Sequence, residues 1–257
     1  MVEQVVNLPV KLEVKFPLPD GRMLVQGPLT YNTDGLATQH NSEFMRDPRF
    51  AKAYAFGMTD GPPGRHLEWR VHVALWLAEQ SVQLGGDFIE CGVNTGIMSG
   101  AIMTYLDFAQ LADRRFYLLD TFAGIPEEQI TDAERAVGVA HMNVKYQGGD
   151  RLFDIVKSKF SPWPNKRLIR GMVPDTLVEV DSDRIAFAHI DMNVVAAEIA
   201  AAEFLWPRLQ PGAFMLLDDY GWAPHIHQKR AWDVFAQQHG FHILSLPTGQ
   251  GLIMKPR

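Results

Sequence analysis

The stretch AFAHIDMNVV, residues 186–195, runs apolar residues into a carboxylate, Asp191, and places an amide, Asn193, two positions later. Further on, MLLDDYG repeats the design, with an apolar run ending in Asp218 and Asp219. Three carboxylates at the ends of two buried strands make an oxygen-rich site, which suits a hard divalent cation such as Mg²⁺. A cation of that kind lowers the pKa of a bound hydroxyl, which an alcohol needs before it can attack as a nucleophile near neutral pH. The alternative is a positioned base. Asn193 cannot fill that role, because an amide accepts no proton near pH 7. The histidines that can are His225 and His227 in GWAPHIH, and His141 upstream, each with an ordinary pKa of about 6.5. His225 and His227 lie two apart, so in an extended chain only one of them faces the site. His189 emerges on the same side of its strand as Asp191 and reads as a satisfied core histidine.

A second chemical end lies upstream. IECGVNTGIMSG reads as strand, glycine-rich turn and helix, with Gly92 and Gly96 allowing the backbone to turn tightly and approach a ligand. It is neither the G-x-G-x-x-G of a dinucleotide fold nor a Walker loop with its lysine. Glu90 stands where it would repel a pyrophosphate and attract a cation. Asp120 ends the next strand, where a carboxylate accepts hydrogen bonds from ribose hydroxyls. A ribose acceptor, a glycine turn and an acid facing a cation together point to S-adenosylmethionine, a sulfonium nucleoside with an amino-acid tail. Cys91 reads as a small buried filler, since no base lies near it in sequence.

These residues need a scaffold that brings separate strand ends to one rim. From Asp87 onward, strands and helices alternate. DFIECGV, RFYLLD, KRLIRGM, RIAFAHID and AFMLLDD are predicted strands, and IMSGAIMTYLDFAQL, DRLFDIVKSKF, VAAEIAAAEFLW and HQKRAWDVFAQQHG are predicted helices. FHILSLP and GLIMKP, joined by TGQG, predict a closing hairpin with one antiparallel strand. The expected fold is α/β: a mostly parallel seven-stranded sheet with helices on both faces, its ligands outside the carboxyl ends of the strands. Upstream, RHLEWRVHVALWLAEQSVQL carries apolar residues at helical spacing, and Asp47-Pro48 marks a helix start. Residues 1–40 contain extended pieces, KLEVKF and GRMLVQ, and read as a cap or arm. The segment at 121–150 is loop-rich and covers the rim. Its Phe122, Met142 and Tyr146, with Trp222 opposite, supply flat or apolar surface suited to a sugar ring or an aromatic group.

The 257 residues carry 24 Lys and Arg against 30 Asp and Glu, a formal charge of −6. An acidic balance argues against a long phosphate footprint, hence against nucleic acid as a partner. No apolar run reaches the roughly 18 residues of a membrane span, and the N-terminus lacks the basic start and apolar core of a signal peptide. A single cysteine fits a reducing compartment. The expectation is a cytoplasmic protein with no membrane partner.

GDFIECGV, LLDTFAGIPE, VPDTL, HIDMN and LWPRLQPGAFMLLDDYG, in this order, resemble the macrocin O-methyltransferase family. The resemblance covers about residues 58–257 and leaves residues 1–57 as an N-terminal arm. It implies a Rossmann-like class I methyltransferase fold, usually in homo-oligomers, that moves a methyl group from S-adenosylmethionine to a sugar or phenol hydroxyl of a glycosylated natural product, leaving S-adenosylhomocysteine. It also implies a cofactor site along Glu90, Cys91, Gly92, Val93, Asn94, Thr95, Ser99, Asp120, Thr121, Phe122, Gly171, Met172 and Asp191. Its metal ligands fall on Asp191, Asp218 and Asp219. Three departures stand out. Asn193 occupies the place where the family has an Asp regarded as the general base. Asn94-Thr95-Gly96-Ile97 replaces a common Trp-Arg-Gly-Gly, and Ala123 replaces a frequent Glu.

Three readings of Asn193 follow: the metal alone acidifies the hydroxyl, a histidine replaces the base, or the protein is a catalytically weakened homologue that binds cofactor as a scaffold. A metal-dependent hydrolase or an NAD-binding protein on a similar sheet is a further alternative, opposed for NAD by the missing G-x-G-x-x-G.

Overall fold

The computed structural model of the chain describes residues 14–17 and 23–26 as backbone strands and residues 29–257 in full, apart from the Met142 side chain. The rest of the expected arm lies outside the described residues. Two antiparallel ribbons come first: β1 (Val14–Pro17) with β2 (Met23–Gln26), and β3 (Tyr31–Thr33) with β4 (Leu36–Thr38). Next is α1 (Pro48–Met58), whose N-cap Asp47 accepts hydrogen bonds from the amides of Arg49 and Phe50 while Pro48 sits at the first helical position. α2 spans Glu68–Ser81. Its buried stripe Val71, Ala74, Leu75 and Ala78 has the spacing of one helix face.

The alternating part follows as β5 (Asp87–Cys91), α3 (Ile97–Tyr105), β6 (Phe116–Asp120), two short helices α4 (Asp132–Ala136) and α5 (Val139–Met142), then α6 (Gly149–Lys159) and β7 (Lys166–Arg170). It continues with β8 (Ile185–Ile190), α7 (Val195–Leu205), β9 (Leu209–Leu217), α8 (Ile226–His239), β10 (Leu244–Ser245) and β11 (Gly251–Met254). The sheet order is β10-β11-β9-β8-β5-β6-β7, with β5 parallel to β6 and β8, and β11 antiparallel to β9 and β10. This is the predicted mostly parallel seven-stranded sheet with a C-terminal antiparallel strand.

Alternation along each strand separates two cores. Phe88, Phe116, Phe187 and Leu216 pack toward α1, α2 and α3, while Ile89, Cys91, Ala188 and Leu217 pack toward α7 and α8. Each fully buried ring contributes about 1.5–3 kcal/mol of transfer free energy. The strand order reverses between β5 and β8: one half of the chain winds from β5 to β6 and β7, the other from β8 to β9. A crevice opens at such a point beyond the carboxyl ends of the strands.

Two elements differ from expectation. The predicted strand FHILSLP is reduced to Leu244–Ser245, because Phe241 stacks on Trp206, with ring centroids 4.5 Å apart, and leaves the sheet. The segment at 121–150 is not simply loop. Thr131 and Glu134 form a capping box that starts α4, and the buried Glu134 also accepts from the Val195 amide at the start of α7 at 2.8 Å. A carboxylate at a helix N-terminus is favourably placed, so the segment is latched to the domain. Among the described residues, no helix is long and apolar enough to cross a membrane.

Candidate active site

Gly92 closes the crevice at the reversal point. Its φ is +94°, and a Cβ there would lie 1.8 Å from the Asp191 carbonyl oxygen, so only glycine allows the β5 turn to lie against the end of β8. Ladder bonds continue past the strand ends: the Asp191 amide donates to Cys91 O at 2.8 Å, and the Asp218 amide to Ile190 O at 2.9 Å. Three strands thus deliver their polar residues in register. Gly96, at φ +72°, opens α3 against the Phe160 ring, 2.4 Å from where its Cβ would stand. Lys159 braces the turn from behind, its Nζ donating to the carbonyls of Gly57, Thr59 and Thr95 at 2.7–2.9 Å.

Two adjoining cavities share Gly92, Asn94, Tyr146, Asp191 and Asn193. The first, of about 640 Å³, is an apolar slot of Leu119, Ile125, Val173 and Ala197 with Asp120, Thr121 and Gly171 at its edge. Asp120 accepts from the Asn94 amide at 2.7 Å and the Phe122 amide at 2.5 Å. Each of its oxygens keeps a lone pair for a further donor. The second cavity, of about 1060 Å³, holds Glu90, Val93, Thr95, Asp191, Asp218, Asp219, Trp222 and His225.

Asp191, Asp218 and Asp219 each offer an oxygen within 4.8 Å of the others. Burial, reinforced by Asp218, pushes Asp191 up to about 7, and burial with Asp191 raises Asp219 well above the carboxylate range. Asp218 behaves oppositely. Burial alone would raise it, but Arg70 and His189 outweigh that and hold it well below its ordinary value. Its Oδ2 accepts from Arg70 Nη1, and its Oδ1 from Gln250 at 2.9 Å. His189, fully buried, bonds Glu90 through Nδ1 at 2.9 Å, with Nε2 3.6 Å from Asp218. Burial would depress this imidazole, yet Asp218 and Glu90 push it up to about 10. Five buried polar atoms here have no hydrogen-bond partner: Glu90 Oε2, Thr95 Oγ1, His189 Nε2, Asp219 Oδ2 and Trp222 Nε1. Unpartnered buried carboxylate oxygens are costly. They fit a site completed by a cationic tail at Glu90 and a metal ion at Asp219.

Asn193 sits at φ +62°, and its Nδ2 donates to Asp191 Oδ1 at 3.0 Å. Its backbone amide bonds Glu198, a buried carboxylate that also accepts from Gln228 Nε2 at 2.9 Å and Trp232 Nε1 at 2.8 Å. Because Gln228 donates to Glu198, its carbonyl faces His225 Nδ1. Nδ1 must then carry the proton, leaving the lone pair on Nε2. Burial lowers the pKa of His225, which keeps the ring neutral.

Of the residues singled out by sequence, Glu90, Gly92, Val93, Asn94, Thr95, Asp120, Thr121, Gly171, Asp191, Asn193, Asp218, Asp219 and His225 line the two cavities. Five do not. Cys91 points into the α7 core because strand alternation opposes it to Glu90. Ser99 is fully buried in the first turn of α3. The Phe122 ring packs on Phe153, leaving only its amide, on Asp120. The Met172 carbonyl accepts from Thr176, and His227 lies on α8, off both cavities. His141 is exposed on α5. Sequence reasoning passed over Arg70, Glu198 and Gln228. Two of them carried a signal: Arg70 stands four before Ala74 on the buried stripe of α2, and Glu198 interrupts the apolar run of α7. A charge on a buried face is rare unless paired.

The macrocin O-methyltransferase family model matches residues 75–244. The 8-demethyl-8-(2,3-dimethoxy-alpha-L-rhamnosyl)-tetracenomycin-C 4'-O-methyltransferase of Streptomyces olivaceus is 28% identical over 141 residues, covering 52% of this chain and 53% of that protein. The mycinamicin III 3''-O-methyltransferase of Micromonospora griseorubida is 30% identical over 146 residues, covering 52% and 55%. The chain therefore spans about half the length of the curated relatives it matches. Among solved structures, the O-methyltransferase NovP aligns with a TM-score of 0.66 at 20% identity, over 76% of this chain and 84% of its own. A calicheamicin methyltransferase aligns at 0.61 and 19%, over 84% and 94%. These structural likenesses concern the fold.

Proposed function

The chain belongs to the macrocin O-methyltransferase family, and from that membership we propose that it is an S-adenosylmethionine-dependent O-methyltransferase acting on a sugar or phenol hydroxyl of a glycosylated natural product. The carrying observation is the single crevice at Gly92, with Asp120 and an apolar slot at one end and three carboxylates at the other. The methyl donor supplies an electrophilic methyl group on a sulfonium. Asp120 would accept from the ribose hydroxyls, the slot of Leu119, Ile125, Val173 and Ala197 would hold the base, and Glu90 Oε2 would meet the ammonium of the amino-acid tail. Asp191, Asp218 and Asp219 would hold a divalent cation, Mg²⁺ by preference, which when bound lowers the pKa of an acceptor hydroxyl.

The chain's own residues supply the rest. His225 Nε2 is the proton acceptor on the acceptor side, its tautomer set by Gln228 and Glu198. Asn193 orients Asp191 rather than taking a proton. Tyr146 and Trp222 line the acceptor cavity and would flank the acceptor, and burial pushes the Tyr146 phenol up to about 12, unsuiting it as a base. Residues 58–257 would form the methyltransferase domain, residues 1–57 the arm, and 121–150 the cover that excludes water. The test is calorimetry with S-adenosylhomocysteine. Wild type should bind, and Asp120→Ala should weaken binding by about ten-fold or more. Absence of wild-type binding at millimolar ligand would sink the proposal.

A second reading, a catalytically weakened cofactor-binding scaffold, draws support from Asn193, which lacks proton affinity. It requires a wild type that binds cofactor without turnover, and an Asn193→Asp variant that gains it.

A further inference from the structure

We propose that Asp34 is a positioning residue for the divalent-cation end of the site: by neutralising Arg70, it allows a cation to share Asp218 with a buried guanidinium. The inference rests on the cation reading above and goes beyond it, because Asp34 and Arg70 both lie outside the matched residues 75–244.

Arg70 rises from the first turn of α2, almost fully buried, and spreads its donors between two carboxylates. Nε donates to Asp34 Oδ2 at 2.7 Å and Nη2 to Asp34 Oδ1 at 2.8 Å, a two-pronged pairing that holds the guanidinium plane. Nη1 is left to bond Asp218 Oδ2. Asp34 reaches this position at the tip of the β3–β4 ribbon, with φ +52°. The ribbon is anchored on both sides. Tyr31 OH donates to Glu68 Oε2 at 3.0 Å, and a Cβ on Gly35 would fall 2.6 Å from the Trp222 ring. Trp222 is closed from its other edge by Gly249, where a Cβ would lie 2.5 Å from Nε1. The N-terminal ribbon is therefore built into the acceptor cavity, which Asp34 lines.

Charge gives this contact its consequence. Without Asp34, Asp218 alone would have to balance the buried Arg70 cation, which would cancel the charge that carboxylate offers the cluster and repel a divalent ion there. With Asp34 in place, the Asp34–Arg70 pair is neutral and Asp218 retains its charge for the cluster. The two-pronged pairing also directs Nη1 at a single oxygen, so that Asp218 is held in one orientation between Arg70 and Gln250.

Asp34→Asn is the discriminating substitution, because Asn tolerates the left-handed backbone as well as Asp does, and the charge is lost together with one of the two acceptors that face Arg70. Mn²⁺ is the probe, its free ion followed by electron paramagnetic resonance, with calorimetry of S-adenosylhomocysteine on the same samples. Asp34→Asn should weaken Mn²⁺ binding by about ten-fold or more while leaving S-adenosylhomocysteine affinity within about two-fold. The double variant Asp34→Asn with Arg70→Gln removes both charges and should recover most of the Mn²⁺ affinity, which loss of packing alone would not allow. Unchanged Mn²⁺ affinity in Asp34→Asn, or no recovery in the double variant, overturns the proposal. If wild type itself takes up no Mn²⁺, the cation site falls and this proposal with it. The S-adenosylhomocysteine titration then decides separately whether the methyl-donor half stands.

Discussion

Asn193 donates its side-chain amide to Asp191 across 3.0 Å, from a backbone held at φ +62°. An aspartate at 193 would set two acceptors against each other at the same spacing. In EDTA, Asn193→Asp should therefore lose about 1–3 kcal/mol of stability, the cost of a buried hydrogen bond replaced by like charge. Added Mg²⁺ should restore part of it. Urea denaturation with and without the metal measures both, and equal stability of the two proteins in EDTA would show that the amide's donation matters little.

His225 is the only one of the three candidate histidines that lines the acceptor cavity. His225→Asn should lower the rate of methyl transfer by about 10²-fold or more, the scale of lost general-base catalysis. Binding of S-adenosylhomocysteine should hold. Gln228→Leu should slow transfer too, by releasing the His225 tautomer, whereas His227→Asn should be silent. Single-turnover transfer of a labelled methyl group separates these outcomes.

Gly92→Ala combines a φ of +94° with a Cβ 1.8 Å from a carbonyl oxygen of the neighbouring strand. Neither strain can be relieved by a side-chain rotation. The loss of stability should exceed about 3 kcal/mol, in the severe range for single substitutions. Any folded fraction should bind S-adenosylhomocysteine poorly. Thermal melting and calorimetry report the two effects, and a protein of ordinary stability would contradict the close approach of β5 and β8.

Burial pushes the Lys159 ammonium down to about 8, against about 10.4 in an unfolded chain. The unfolded state then binds more protons between these values, so this group's contribution to stability rises as pH increases from about 8 toward 10. Below about 8 both states hold the proton and the burial cost is fully present. The stability difference between wild type and Lys159→Met should therefore shift in favour of wild type across that window. Denaturant midpoints at pH 7, 8, 9 and 10 test the sign, and a flat difference would show that the three carbonyl partners already offset the cost of burial.

Much of this protein was legible in its sequence because local chemistry is written in local spacing. The alternation of apolar strands and amphipathic helices specified the sheet. The glycines specified the turn at Gly92, and the acids at strand ends specified a rim where Asp120, Asp191, Asp218 and Asp219 meet. The sequence marked His189 as a core histidine, but its pairing with Glu90 came from the structure, where β5 and β8 are neighbours in register. The tertiary structure alone decided what each polar group faces. Cys91 and Phe122 sit beside site residues in sequence, yet they turn into the core. Asp34 and Arg70 are 36 residues apart, and Arg70 is 148 residues from Asp218, yet one guanidinium bonds both carboxylates. Such contacts arise from how β3–β4, α2 and β9 pack together. Packing is a property of shapes closing over one another in space, which no spacing along the chain records.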